Sequence, residues 1–237
     1  MTEDEYYGSF GEIAPKDFSK FQQIVSRRLS ESWNKIPHVT HDDVADVTAL
    51  DAYRSSMEAS AKVSPLIFLI KGLISAMKAY PTFNSSLSQD GKTLIMKKYF
   101  HVGIAVDGPL GLLVPVLRDA DQKDIQTLAA ELKAFSRQAR EKGLPVDAMS
   151  GGCMTITSLG GIGGTSFTPI INAPEVAILG VTPSRTVAAW TGDSFEPRQH
   201  MTLSLSYDHR VINGADAARF TRHICDALAD PAKLASE

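Results

Sequence analysis

The chain has 237 residues, 43% of them apolar and 22% charged, and 24 Lys plus Arg against 27 Asp plus Glu leave a net charge of −3. A chain of this length buries a core without disulfides or metals, as one large domain or two small ones. Mild acidity excludes a broad basic surface for nucleic acid or for anionic membrane. The two cysteines, Cys153 and Cys225, form neither a disulfide framework nor a CxxC pair, which points to a reducing, cytoplasmic compartment. Met1 to Gly11 is acidic and aromatic, without the apolar stretch of a secretory signal. The greasiest run, Leu66 to Ile70, stops at Lys71, far short of the ~18 residues that a membrane span needs. A soluble protein is expected.

Residues 1–16 read as a tail or linker, with Tyr6, Tyr7 and Phe10 available to dock, and residues 17–237 as one domain. From Asp17 to Trp33, the positions Phe18, Phe21, Val25, Leu29 and Trp33 fall on one helix face. Pro37 ends that helix, and Val39, Val44 and Val47 suggest a strand leading to a helix at Thr48. Ser64-Pro65 opens a helix that is apolar nearly all round to Met77, so it should be buried. Two extended runs follow, Phe100 to Val106 and Gly111 to Leu117. Pro115 in the second places it at a sheet edge or an irregularity. Asp124 begins a helix with Ile125, Leu128, Leu132, Phe135 and Ala139 on one face, ending at Lys142-Gly143. Strands are predicted over Cys153–Thr157, Val176–Val181, Thr186–Trp190 and Met201–Tyr207, with a hairpin around Gly192-Asp193. A last helix spans Ala215 to Ala229. The mixture without strict alternation predicts a single α/β domain on a mixed sheet.

The segment from Ser204 to Asp216 carries the strongest chemical signal. A strand of alternating polarity runs into His209, and Asn213 follows four residues later in an Asn-Gly turn before a helix. An imidazole at a strand end is suited to proton transfer, although a histidine between Asp208 and Arg210 is also an ordinary structural residue. The glycines of Leu159-Gly160-Gly161-Ile162-Gly163-Gly164 lack the Lys-Ser/Thr of a phosphate loop and the dinucleotide spacing. They read as a tight loop. His38 and His41 have no further ligand nearby in sequence, so no metal site is expected.

Asp208-His209-Arg210-Val211-Ile212-Asn213-Gly214 resembles the signature of the dihydrolipoyl acyltransferases of 2-oxo acid dehydrogenase complexes. Ile36-Pro37-His38-Val39-Thr40, Phe83-Asn84-Ser85-Ser86-Leu87, Gly103-Ile104-Ala105-Val106-Asp107 and Gly111-Leu112-Leu113-Val114-Pro115-Val116 resemble further family segments in the expected order. So do Thr155-Ile156-Thr157-Ser158-Leu159-Gly160 and the stretch from Asn172 to Gly180. The resemblance spans about Phe18 to Leu228, and its Asn-Ala-Pro-Glu resembles the acetyl-transferring branch. It implies a chloramphenicol acetyltransferase-like fold and transfer of an acetyl group between a dihydrolipoyl thiol and coenzyme A, which is a substrate.

By that resemblance His209 is the general base, and Thr157 holds the oxyanion, with Ser158 the neighbouring candidate on the other strand face. Asn213 stands where aspartate is commonest, and Lys20 stands where relatives carry its arginine partner, so the two would support the His209 loop. Asp107, Phe167 and Asn172 fall where the family lines its coenzyme A channel. The family builds its site between the subunits of a homotrimer. The ending Asp230-Pro231-Ala232-Lys233-Leu234-Ala235-Ser236-Glu237 has one large apolar residue, which puts a larger shell in doubt. No lipoyl-type turn occurs, so a lipoyl domain would act in cis or in trans. The 2-oxo acid dehydrogenase and dihydrolipoyl dehydrogenase components are the implied partners. The other readings are a catalytically weak trimeric scaffold and an acyltransferase for another small acceptor.

Overall fold

The computed structural model describes residues 1–108 and 111–236. The expected tail contains a short helix, α1 (Glu3–Gly8), closed by a capping box between Thr2 and Glu5, with no buried residue. Helix α2 (Lys20–Lys35) starts later than the apolar spacing predicts, because Ser19 acts as its cap. The Ser19 hydroxyl accepts from the Gln22 N–H, and the Gln22 side chain accepts from the Ser19 N–H. Only Ser32 of α2 is buried, while Phe18, Leu29 and Trp33 of the apolar stripe are exposed.

Strand β1 (His38–Asp46) leads into α3 (Thr48–Ser56). In α4 (Pro65–Ala79), Ser64 accepts from the Leu66 N–H, and every residue from Ile67 to Met77 except Ser75 is buried, as its sequence predicts. A hairpin not foreseen from the sequence follows, β2 (Ser85–Leu87) with β3 (Leu94–Met96). Each of the two expected extended runs breaks in two. The first becomes β4 (Val102–Ile104) and β5 (Val106–Gly108), and the second β6 (Gly111–Leu113) and β7 (Val116–Leu117). Pro115 lies between β6 and β7, and its carbonyl accepts from the Ile104 N–H at 2.9 Å, while β7 forms the edge of the sheet.

Helix α5 (Ile125–Glu141) is capped by Asp124. After it come β8 (Met154–Ser158), β9 (Ala177–Val181), β10 (Arg185–Trp190), β11 (Phe195–Asp208) and α6 (Gly214–Leu228). The C-terminal segment forms α7 (Pro231–Ser236), unanticipated in sequence, and buries Pro231 and Leu234.

The main sheet runs β1-β11-β9-β8-β4-β7, with β10 also paired to β11. Strands β4, β8 and β9 are parallel, whereas β11 is antiparallel to β9, β1 and β10. This is the mixed sheet that the sequence predicts. Register gives its two faces opposite chemistry. Ile156, Leu179 and Leu205 lie side by side on the apolar face and are fully buried. Helices α4 and α6 meet at Gly72, where an added Cβ would lie 3.6 Å from Ile224 Cγ2. The other face aligns Thr155, Ile178, Ser206 and Thr40 in one row and Thr157, Gly180, Ser204 and Asp42 in the next.

Candidate active site

The end of β11 is built by Asp208. Its backbone N–H donates to the Val176 carbonyl, and its own carbonyl accepts from the N–H groups of Val211 and Ile212. Its carboxylate, 2% exposed, accepts from the Arg210 N–H at 3.0 Å and from the Arg210 guanidinium at 2.6 to 3.2 Å. That pairing raises the Arg210 pKa. His209 and Arg210 are both exposed in this turn, and Arg210 is held by Asp208. The His209 N–H donates to the Pro37 carbonyl at 3.1 Å, and its ring is exposed, 5.8 Å from that of Tyr207.

Asn213 is the cap of α6. Its Oδ1 accepts from the Asp216 N–H at 2.9 Å and its Nδ2 donates to Asp216 Oδ2 at 2.6 Å. Lys20 is exposed in the first turn of α2. Among the described residues the Asn213 carboxamide bonds to Asp216 on its own helix, and no hydrogen bond joins it to Lys20.

The hydroxyl candidates lie on β8. Thr157 is half-buried and shares the hydroxylated face with Thr155, while Ser158 points to the opposite face. There Ser158 Oγ accepts from the Gly160 N–H at 3.2 Å and lines a cavity of about 260 Å³ between the start of α4 and Thr182. Phe167 lies beside Thr157. Its ring covers Gly180, where an added Cβ would come within 2.7 Å of Phe167 Cζ, and Gly180 is the register partner of Thr157. Asn172 donates through Nδ2 to Thr155 Oγ1 at 3.4 Å. Asp107 is exposed on the β5–β6 hairpin, paired with Leu112, at the sheet end where β8 finishes.

Thr157, Phe167 and Asn172 thus gather on one face, whereas His209 stands apart. Thr157 is level with Ser204, two strands from β11 toward the interior, and Ser204 lies five residues before His209 in the chain. At ~3.3 Å per residue and ~4.8 Å per strand, the backbone positions of His209 and Thr157 are about 19 Å apart in one chain.

His38 and His41 point to opposite faces of β1, which rules out a shared ion. His38 Nε2 accepts from the Ile171 N–H at 3.0 Å, so the proton is on Nδ1, 2.8 Å from the Ile36 carbonyl. Its role is to hold the loop that covers the hydroxylated face, as does Ser32, whose hydroxyl donates to the Ile171 carbonyl at 2.6 Å. The sequence reading missed a buried carboxylate in this region, Glu175. Burial pushes it up to about 7, opposed by Thr155, Lys97 and Asn172. Its signal in the sequence was an acid inside an otherwise apolar approach to β9.

The family model for the 2-oxoacid dehydrogenases acyltransferase (catalytic domain) matches residues 12–236. The chain belongs to this family. It is 50% identical over 229 residues to the dihydrolipoyllysine-residue acetyltransferase component of the Pseudomonas aeruginosa pyruvate dehydrogenase complex, covering 94% of this chain and 42% of that protein. For the Azotobacter vinelandii counterpart the figures are 51%, 94% and 36%. The chain thus spans about two-fifths of the length of these relatives. Among solved structures it is similar to an A. vinelandii dihydrolipoamide acetyltransferase studied for the catalytic roles of a serine, a histidine and an asparagine. The TM-score is 0.93 at 49% identity, with 96% of each chain covered. A cubic core of a pyruvate dehydrogenase multienzyme complex matches with the same TM-score at 50% identity and 96% coverage of each chain. Chloramphenicol acetyltransferase, at a TM-score of 0.59 and 14% identity over 90% of this chain and 100% of that one, shares the fold, as expected.

Proposed function

We propose that this chain is the catalytic part of a bacterial, cytoplasmic dihydrolipoyl acetyltransferase, moving an acetyl group between a dihydrolipoyl thiol and coenzyme A in a pyruvate dehydrogenase complex. The observation that carries this reading is the pair of incomplete half-sites at opposite ends of one sheet. An exposed imidazole lies at one end, and a hydroxyl flanked by Phe167 and Asn172 lies at the other. A homotrimer joins the two by bringing His209 of one subunit to Thr157 of the next. The serine, histidine and asparagine probed in the A. vinelandii enzyme stand in the order and at the spacing of Thr157, His209 and Asn213, which supports these assignments. It also makes Asn213 a residue shared with that relative.

In the proposed reaction the thiol S–H gives its proton to the His209 imidazole as sulfur attacks the thioester carbonyl. The Thr157 hydroxyl donates to the resulting oxyanion. Collapse breaks the original C–S bond, and the departing thiolate takes the proton back from the imidazolium. Asp107, Phe167 and Asn172 line the coenzyme A channel in this reading. The lipoyl group arrives on a lipoyl domain, in cis or in trans, and the 2-oxo acid dehydrogenase and dihydrolipoyl dehydrogenase components are the partners. The expected free trimer is not carried forward, because a relative of nearly the same chain length forms a cubic core.

Acetyl transfer from acetyl-coenzyme A to free dihydrolipoamide tests the activity, and mixed assemblies test the site. His209→Ala should lower turnover about a hundredfold or more, and Thr157→Val should do so by a similar factor. When the two variant chains are co-assembled, about a quarter of the interfaces of a heterologous ring regain both groups and turnover returns. Mixed assemblies as inactive as either variant would rule out a site shared between subunits.

A further inference from the structure

Glu175 and Asn172 use their polar atoms in a way that the transfer chemistry above does not require. Glu175 is 4% exposed. Its Oε1 accepts from the Thr155 hydroxyl at 2.9 Å and from Asn172 Nδ2 at 3.3 Å, while Oε2 is buried without a hydrogen-bond partner among the described residues. Two glycines keep space for this network. A Cβ at Gly152 would lie 2.8 Å from Glu175 Oε1, and one at Gly103 would lie 2.7 Å from Thr155 Oγ1. Taking a carboxylate out of water is unfavourable, so an apolar residue of similar volume would serve packing better. The acid therefore has a use other than packing.

Its effect falls on Asn172. That residue is exposed, yet its amide nitrogen is turned inward onto Thr155 Oγ1 and Glu175 Oε1. The Thr155 hydroxyl spends its hydrogen in donating to Glu175 Oε1, so toward Asn172 both groups on the inner side are acceptors. Only the –NH₂ end of a carboxamide satisfies two acceptors, which leaves the carbonyl oxygen as an outward acceptor. Thr157 projects from the same face two residues further along β8, ~7 Å from Thr155. A thiol substrate that reaches Thr157 along this face would pass this oxygen.

We propose that Glu175 is a positioning residue for the thiol substrate, holding the Asn172 amide so that its oxygen accepts a hydrogen bond from an amide N–H of the thiol-bearing arm of coenzyme A. The proposal rests on the coenzyme A reading above and adds the acid that orients the contact and the substrate group that it meets. A glutamine at this position offers an N–H to the inner side, allows the Asn172 amide to reverse and turns a donor toward the substrate amide.

The test is a double-mutant cycle of the parent, Glu175→Gln, Asn172→Ala and the double variant, each assembled as the parent by sedimentation. Glu175→Gln should raise KM for coenzyme A about tenfold with kcat changed less than about twofold, and should add nothing in the Asn172→Ala background. A fall in kcat at unchanged KM, or full additivity in KM, overturns the proposal. If Glu175→Gln does not assemble, Glu175→Met, which removes the inner acceptor Oε1 and frees the Thr155 hydroxyl to donate to the Asn172 amide, replaces it in the cycle, with the same outcomes decisive. A parent that turns nothing over sinks the proposed activity and not this inference. In that case coenzyme A titrated calorimetrically into the same four chains gives the cycle as affinities.

Discussion

Asp208 gives both carboxylate oxygens to Arg210 and so is not the carboxylate that orients the neighbouring imidazole. Arg210→Ala should leave Asp208 buried and unpaired, which typically costs ~3–5 kcal/mol when one partner of a buried ion pair is removed. Discounted for the half-exposed guanidinium, the expected loss is about 1–2 kcal/mol, readable by urea denaturation. An unchanged midpoint would show that the pair holds nothing. Glu175 gives a pH-dependent expectation. Its carboxyl is pushed up to about 7 from an ordinary 4.5, so between those values the folded chain binds more protons than the unfolded one. Stability therefore falls as pH rises through that window, by on the order of 3 kcal/mol from this group alone. Glu175→Gln removes the dependence. Its stability relative to the parent should improve from pH 5 to pH 8, and a constant difference would mean that the carboxylate is already ionised at pH 5.

Among the elements, β8 shows how strand alternation separates two adjacent hydroxyls. Thr157 belongs to the face with Thr155, Gly180 and Ser204, and Ser158 to the face with Val181 and the start of α4. Periodicity alone distinguished the faces in sequence. It could not say which face the covering loop would occupy, because that depends on Phe167, Ile171 and His38, far apart in the chain. The closeness of β4 to β8 explains Gly103, whose added Cβ would also lie 3.0 Å from Val114 Cγ1. Gly103→Ala should cost ~1–3 kcal/mol through overpacking, and a thermal midpoint equal to the parent's would mean that Thr155 turns aside at no cost. The broken runs at β4 to β7 and the short helices α1 and α7 escaped the sequence reading for a common reason. Elements of two to six residues carry too few apolar positions to establish a period.

For the whole molecule, the informative feature is α2. Its apolar stripe is as regular as that of any helix in the chain, yet Leu29 and Trp33 remain 44% and 54% exposed. A stripe that finds no core in its own chain is suited to a second copy, and in the proposed reaction the ~19 Å between His209 and Thr157 calls for one. Leu29→Glu should leave the fold intact by circular dichroism while dissociating the assembly and abolishing acetyl transfer. An assembled, active Leu29→Glu protein would remove α2 from the interface.

The amino-acid order by itself determined the family and the mixed sheet, because those depend on local periodicity, capping and contiguous signatures. It also marked Asn213 as turn chemistry, and the cap of α6 agrees. Only the tertiary structure decided the rest. It directed the Asn213 carboxamide to Asp216, gathered Thr155, Asn172 and Glu175 around one buried oxygen, and set the imidazole and the hydroxyl at opposite ends of the sheet. These relations follow from strand order and register. Strand order pairs residues far apart in sequence, and nothing in the local pattern records it.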